Sequence, residues 1–92
     1  MIASYADRNT EKQANGERVK RFEAIEKLAR KKIAMLDAAE GLSDLSIFPG
    51  NHLEKLSGDR KGQFSIRIND QYRICSKWQE GACYEVEITD HH

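Results

Sequence analysis

The sequence predicts an α+β fold in which N-terminal helices pack on one face of a small, mainly antiparallel β-sheet. Two patterns predict this arrangement. Apolar residues recur at helical spacing between residues 21 and 39, whereas they alternate with polar residues between residues 64 and 88. The chain has 92 residues, which is enough for one modest hydrophobic core, so we expect residues 1–92 to form a single domain.

The helical part of the chain comes first. Residues 2–5 alternate enough for a short edge strand, and a helix start is possible at Asn9 or Thr10. The apolar spacing then predicts one amphipathic helix from Arg21 to Ala39, followed by a connector over residues 42–51. The helix would carry two pairs in which an acid stands four residues before a base, Glu23 with Lys27 and Glu26 with Arg30.

Three strands with one buried face follow the connector. The apolar residues of adjacent strands lie directly across from one another only if both hairpins have three-residue loops, at residues 69–71 and 80–82. In this register Arg67 lies directly across from Arg73, and Arg73 lies across from Thr89. The second hairpin would also pair Trp78 with Tyr84 in the core and Lys77 with Glu85 on the other face, where Cys75 and Cys83 would lie.

The predicted register places a group of functional side chains on the exposed sheet face. Two arginines directly opposite each other repel, so a bound anion would explain them, and guanidinium groups suit a phosphate. The alternative is that Arg67 and Arg73 pair with Glu85 or Glu87 on the same face. Because residues 90–92 continue beside Arg73, basic, acidic and imidazole groups converge at one end of this face.

The motif inventory predicts neither a cofactor nor a metal. Cys75 and Cys83 are expected to be free thiols, and the three histidines form no metal-binding motif. No phosphate-binding loop or dinucleotide fingerprint is present. The N-terminus has no secretory signal, and no apolar stretch approaches the ~20 residues that span a bilayer. We therefore expect a cytoplasmic protein without a membrane partner.

Charge is divided unevenly along a chain whose formal net charge is zero. Residues 1–32 contain nine Lys and Arg against five Asp and Glu, and residues 33–92 contain six against ten. One interpretation is a basic face for a polyanion or an acidic partner, and the other is a solvated helix with internal ion pairs. The candidates for such a face are Arg18, Lys20, Arg21, Lys27, Arg30 and Lys31.

Five segments of the chain together carry a family resemblance. They are Met1-Ile2-x-Ser4-Tyr5, Pro49-Gly50-Asn51-His52-Leu53-Glu54, Leu56-Ser57-Gly58-Asp59-Arg60-Lys61-Gly62, the run from Ser65 to Ile74, and Asp90-His91-His92. These segments resemble the HigB toxins of the RelE/ParE superfamily, over nearly the whole chain and most strongly over residues 49–74. The resemblance implies a bacterial type II toxin that cleaves mRNA in the A site of the 70S ribosome. It also implies a HigA-like helix-turn-helix antitoxin as partner, and the toxin would contact operator DNA only through this antitoxin.

The resemblance also indicates catalytic residues. Arg73 matches the family's arginine after an aromatic residue, and it would hold the scissile phosphate. Asp90 and His92 match a closing Asp-Tyr-His motif, with His91 where the tyrosine would be. Since histidine suits proton transfer near neutral pH, His92 is the first acid/base candidate and His91 the second, and Asp90 would orient an imidazole.

A departure from the family pattern leaves the acid/base assignment open. Some members carry a catalytic histidine where this chain has Glu54, and His52 stands two residues earlier. Glu54 and His52 are therefore both possible acid/base residues. The remaining candidates would contact RNA phosphates, unless they belong to a merely solvated surface; they are Arg67, Lys55, Arg60 and Lys61.

Two other functions are compatible with the same fold, because a fold does not determine a function. One is a ParE-like inhibitor of DNA gyrase, and the other is a non-catalytic binding module that acts only with its antitoxin in repression. The predicted cluster of Arg73 with residues 90–92 favours the nuclease, since an inhibitor has no need of titratable groups there.

Overall fold

The computed structural model describes residues 1–90 of the chain. In that part of the chain, three α-helices precede a four-stranded antiparallel sheet whose strand order follows the sequence. This confirms the predicted order of helices before strands, with a short additional strand before the three that were predicted. The helices are α1 (Arg8–Ala14), α2 (Glu26–Ala38) and α3 (Leu42–Ser46), and the strands are β1 (Glu54–Lys55), β2 (Gln63–Arg67), β3 (Tyr72–Gln79) and β4 (Ala82–Asp90).

One face of the sheet forms the hydrophobic core with the helical segments. Ile66, Ile74 and Ile88 lie across from one another on adjacent strands and are almost fully buried. They belong to the same buried cluster as Phe22, which precedes α2, and Leu36, which lies within it. Alternation along the strands and helical spacing before them thus direct apolar side chains to a common core, and the predicted α+β class is confirmed.

The N-terminal segment lies along the outer edge of β4. Two of its residues form isolated parallel bridges instead of a regular strand, Ile2 with Cys83 and Tyr5 with Val86. α1 then begins at Arg8, because a carboxylate oxygen of Asp7 accepts a hydrogen bond from the Thr10 N–H group at 2.9 Å. The predicted edge position is confirmed, and the helix starts slightly earlier than expected.

The continuous helix predicted from Arg21 to Ala39 is wrong in its first part. The structure has a 3-10 segment, Lys20–Ile25, before α2. Phe22 and Ile25 both reach the core, and a spacing of three residues fits a 3-10 helix as well as an α-helix. Periodicity alone therefore could not distinguish the two.

The change from 3-10 helix to α-helix at Glu26 determines which of the predicted ion pairs form. Glu26 and Arg30 both lie within α2, and their predicted pair is present at 2.9 Å. Glu23 lies in the 3-10 segment instead, and its carboxylate is 3.7 Å from the guanidinium group of Arg18. The ion pair expected between Glu23 and Lys27 is replaced by this contact.

The β2–β3 hairpin has the predicted register. Arg67 lies across from Arg73. The N–H group of Ile68 donates to the carbonyl oxygen of Tyr72 at 2.9 Å, which closes the predicted loop at residues 69–71.

The β3–β4 hairpin follows the predicted register only at the end near Arg73. Arg73 lies across from Thr89 as expected. The loop, however, contains two residues, Glu80 and Gly81, instead of residues 80–82. Both loop residues have positive φ, 51° and 81°, as a tight two-residue turn requires.

A β-bulge accommodates the difference in register. Between Cys75 and Lys77 the pairing shifts, and β4 contains one residue more than β3; Glu85 there has a φ of 53°. The Glu85 N–H group donates to the hydroxyl of Ser4 at 2.9 Å, so the N-terminal segment supports the bulge. Alternation within β4 could not indicate a feature that depends on a residue about 80 positions away.

The bulge changes which side chains of β4 face the core near the turn. Cys83 joins the buried cluster and Tyr84 is exposed, so the predicted Trp78–Tyr84 core pair is wrong. Cys75 and Cys83 are free thiols, as predicted, but they do not share a face. The expected ion pair between Lys77 and Glu85 nevertheless forms, at 2.7 Å, although the backbone partner of Lys77 is Tyr84.

The connector over residues 42–51 contains more structure than predicted. It holds α3 and a 3-10 turn, Pro49–Asn51, and the side chain of Asn51 is fully buried. The chain then enters β1, which pairs with β2 at the edge of the sheet. Within residues 1–90, none of the helices is long and apolar enough to cross a membrane.

Candidate functional site

A groove lies on the sheet face opposite the core, and four predicted site residues border it. Its volume is about 200 Å³. The register creates it, because Glu54 lies across from Ser65 and Ser65 lies across from Cys75, which puts all three on one face. The lining residues are Glu54, Leu56, Arg60, Ser65, Arg73, Cys75, Thr89 and Asp90.

Arg73 is mostly buried in this groove and contacts three other residues. Its Nε donates to the Ser65 hydroxyl at 2.9 Å, and its Nη2 donates to the His52 carbonyl oxygen at 2.7 Å. The same nitrogen is 3.6 Å from a carboxylate oxygen of Glu54, and only 12% of the Arg73 side chain is exposed. Since these partners come from the residue after the 3-10 turn Pro49–Asn51, from β1 and from β2, the tertiary structure determines the direction of the guanidinium group.

Arg60 stands beside Arg73 in the lining of the groove and has a carboxylate partner of its own. Its Nη2 lies 3.1 Å from a carboxylate oxygen of Glu87. Glu85 is paired with Lys77. The alternative prediction, in which Arg73 pairs with Glu85 or Glu87, is therefore wrong.

Arg67 is directly across from Arg73 in the sheet, but its side chain does not line the groove. Its guanidinium group forms an ion pair with Asp70 in the adjacent loop. Each of the two facing arginines thus has its own carboxylate, Asp70 or Glu54. The repulsion between them is relieved within the protein, so it is no evidence for a bound anion.

The predicted lysines lie outside this groove. Lys55 is exposed on β1 and, with Glu54 and Arg60, lines a second, more open groove next to the first. Lys61 is exposed after the 3-10 turn Gly58–Arg60 and lines neither groove.

The end of β4 also reaches the groove. Asp90 lies across from Tyr72, and its carboxylate accepts a hydrogen bond from Gln71 at 3.3 Å. The predicted catalytic residues His91 and His92 lie outside the described residues. His52 is exposed. It is connected to Arg73 through its backbone carbonyl oxygen, which accepts a hydrogen bond from the guanidinium group.

Sequence reasoning missed Ser65, a residue that is only 1% exposed. The predicted register already contained a signal for it, because a residue across from Cys75 shares the face of Arg73. A serine at a buried strand position also needs a hydrogen-bond partner, and the neighbouring arginine provides one. Within the described part of the chain, no three Cys, His, Asp or Glu residues are arranged to hold a metal ion.

Comparison with known families identifies the class of protein. A family model described as the RelE-like toxin of type II toxin-antitoxin system HigB matches residues 5–92. The α+β fold and this match define a RelE-like toxin of a type II toxin-antitoxin system. Within that class, the chain belongs to the HigB-like toxin family. A toxin of a type II toxin-antitoxin system has an antitoxin as its partner, so this family membership implies one for the chain.

Two curated proteins are similar to the chain, and the first of them is itself named as a HigB toxin. The chain is 43% identical over 68 residues to Toxin HigB-1 of Vibrio cholerae serotype O1, an alignment that covers 74% of this chain and 72% of the relative. It is also 32% identical over 65 residues to an uncharacterized protein of Haemophilus influenzae, covering 71% of this chain and 64% of that protein.

Proposed function

We propose that this toxin is a ribosome-dependent endoribonuclease that cleaves mRNA in the ribosomal A site and so inhibits translation. The observation that carries the proposal is the groove in which the Ser65 hydroxyl and the His52 carbonyl oxygen orient Arg73, beside the exposed carboxylate of Glu54. A restrained guanidinium group next to an acid/base residue is suited to a phosphate whose charge increases during reaction. The resemblance to HigB toxins supports the same reaction.

The proposed chemistry is an attack by the 2′-hydroxyl oxygen of the RNA on the adjacent phosphorus. The bond from O2′ to phosphorus forms while the bond to O5′ breaks, which leaves a 2′,3′-cyclic phosphate and a 5′-hydroxyl. A base takes the proton of the 2′-hydroxyl, and an acid gives a proton to O5′. The proposed route uses neither a cofactor nor a metal ion.

The groove provides candidates for each role. Arg73 would bind the non-bridging phosphate oxygens, and an incoming phosphate would compete with Glu54 for its guanidinium group. Glu54, whose side chain is 59% exposed, would thereby become available to accept a proton, with His52 as the alternative base. The C-terminal residues would supply the acid and its orientation; they are Asp90, His91 and His92.

Other basic residues would bind the RNA backbone around the scissile bond. Arg60 and Arg67 would exchange their carboxylate partners, Glu87 and Asp70, for phosphates. Both ion pairs are partly exposed to water, where such pairs contribute little stability. Breaking them to bind phosphate therefore costs little free energy. Lys55 and Lys61 are exposed and would add further phosphate contacts.

The proposed antitoxin is a HigA-like helix-turn-helix protein. It would neutralise the toxin by binding it, and operator DNA would be bound only through the antitoxin. The proposed site of action is the cytoplasm, because the proposed substrate is mRNA on the 70S ribosome.

The test uses primer extension on an mRNA translated in a purified bacterial system. We expect the full-length toxin to cut within codons, and we expect Arg73→Ala to reduce the cleavage rate at least about 100-fold. Deletion of His91 and His92 should have a similar effect. Lys77→Ala is the matched control, since Lys77 is also a carboxylate-paired cation on β3 but lies outside the groove.

Two results would contradict the proposal. Inhibition of gyrase supercoiling by the wild type without mRNA cuts would favour the ParE-like reading. Normal operator binding with the antitoxin, but neither cuts nor supercoiling inhibition, would favour a non-catalytic co-repressor.

A further inference from the structure

Asn51 is a buried polar residue that none of the proposed catalytic roles uses. Its side chain is fully buried, and both ends of its amide group are bonded. The carbonyl oxygen accepts a hydrogen bond from Lys32 Nζ at 2.5 Å, and the Nδ2 group donates to the Leu45 carbonyl oxygen at 3.0 Å. The amide therefore joins α2 to the C-terminal end of α3.

Lys32 is itself an unusual partner, because it lies on the buried side of α2 with only 9% of its surface exposed. Burial lowers the pKa of its ammonium group, and the neighbouring cations Lys31 and Arg67 lower it further. A buried ammonium group is costly without a hydrogen-bond acceptor. The Asn51 oxygen provides that acceptor, so the two residues hold each other in place.

The residue after Asn51 transmits this restraint to the groove. His52 has φ 43° and ψ 54°, a left-handed conformation that is uncommon for a residue other than glycine. Such a conformation persists only where the surroundings determine it. The His52 N–H group donates to the Pro49 carbonyl oxygen, and its own carbonyl oxygen accepts the 2.7 Å hydrogen bond from Arg73.

We propose that Asn51, held by Lys32, is a positioning residue for Arg73. The Asn51 side chain fixes the turn, the turn fixes the His52 peptide, and the His52 carbonyl oxygen orients the Arg73 guanidinium group. Helix α2 is thereby coupled to the groove on the other side of the sheet. The catalytic consequence rests on the proposed nuclease function, whereas the restraint on Arg73 does not.

Loss of this connection leaves Arg73 with two of its three partners. Ser65 and Glu54 still contact it, so the arginine remains in the groove but gains rotational freedom. A misplacement of about 1 Å at a reacting centre costs on the order of 100-fold in rate. RNA binding depends on many phosphate contacts and changes little.

The experiment compares Asn51→Ala and Lys32→Met with the control Lys77→Met, which removes the same charge from an exposed position on β3 outside the groove. We expect kcat for mRNA cleavage to fall about 10- to 100-fold in the first two variants, with KM within about threefold. The control should retain the wild-type kcat. Lys32→Met keeps the Asn51–Leu45 bond, so it serves if Asn51→Ala fails to fold.

A second readout follows Arg73 directly, by NMR of its Nη2–H group in the free toxin, since this group donates to the His52 carbonyl oxygen. We expect hydrogen exchange at this group to become at least about tenfold faster in both variants, while core amide signals stay in place. Unchanged Arg73 exchange and kcat in folded Lys32→Met would overturn the proposal, as would equal effects in Lys77→Met. If the wild type cuts no mRNA, the nuclease proposal fails, and the NMR result alone decides the positioning role.

Discussion

Arg67 and Arg73 face each other in the sheet and yet have different surroundings. The Arg67 side chain is 36% exposed, and its carboxylate partner is only three residues away, in the loop that follows β2. Arg73 is mostly buried, and its partners are 8 to 21 residues distant. A restrained guanidinium group loses little freedom when it binds a phosphate. This difference makes Arg73, rather than Arg67, the better candidate for the scissile phosphate.

The buried thiol of Cys83 predicts how the free energy of unfolding depends on pH. Burial is the main cause that raises the pKa of its thiol, from 9.0 to about 11. The folded protein keeps the proton where the unfolded chain has lost it, so the stabilisation is complete below about pH 9 and is lost as pH rises through 11. We expect the difference in unfolding free energy between wild type and Cys83→Ala to fall by roughly 1–2 kcal/mol from about pH 8 to about pH 10.5.

Urea unfolding of both proteins at the two pH values measures this difference. Tyr5, whose pKa is also raised, mainly by burial, is present in both proteins, so its own titration largely cancels. Parallel changes in the two proteins would show that Cys83 does not contribute to the alkaline loss of stability.

At the scale of elements, the β3–β4 hairpin depends on a turn and on the segment packed beside it. Its two loop residues both have positive φ, and the bulge in β4 is bonded to Ser4. The turn also lies close to the C-terminal side of α2, since a Cβ atom on Gly81 would be 3.3 Å from the Glu40 carbonyl oxygen. The hairpin is therefore specified partly by its own glycine and partly by distant contacts.

We expect Gly81→Ala to lower the free energy of unfolding by about 1–2 kcal/mol, because an alanine is strained at a φ of 81° and meets the Glu40 carbonyl. Gly50→Ala is the matched control. Gly50 has no neighbour within 4 Å of the added Cβ atom and no positive φ, so its replacement should be nearly neutral. Thermal or urea unfolding compares the two, and equal destabilisation would contradict the argument.

At the scale of the whole molecule, positive charge is concentrated in the first third of the sequence. Part of it is used within the protein, since Arg30 pairs with Glu26 and donates to the backbone carbonyl oxygens of Gln13 and Glu17. Lys27 and Lys31 are exposed on α2 and remain available for a partner. The predicted helical ion pair is therefore confirmed for Arg30, whereas a basic face that includes Lys27 and Lys31 stays a prediction.

We expect the double charge reversal Lys27→Glu with Lys31→Glu to weaken ribosome association and to make its dependence on salt concentration shallower. Co-sedimentation with ribosomes at several salt concentrations measures both effects. Equal association of wild type and variant at every salt concentration would remove α2 from the ribosome interface. Reduced antitoxin binding with normal ribosome association would assign this face to the antitoxin instead.

Periodicity in the sequence determined the fold class, the β2–β3 register and the position of Arg73 across from Thr89. These features follow from local alternation and from the requirement that apolar side chains share one face, which the sequence expresses directly. The resemblance to HigB toxins, carried mainly by residues 49–74, determined the family.

The tertiary structure alone decided the 3-10 segment before α2, the bulge in β4 and the partners of Arg73. Each depends on contacts that local periodicity does not encode. Ser4 supports a bulge at Glu85, and the His52 carbonyl oxygen reaches Arg73 because a buried lysine holds the preceding asparagine. Periodicity reports which face a side chain occupies, whereas the direction of a functional group depends on atoms that only folding brings together.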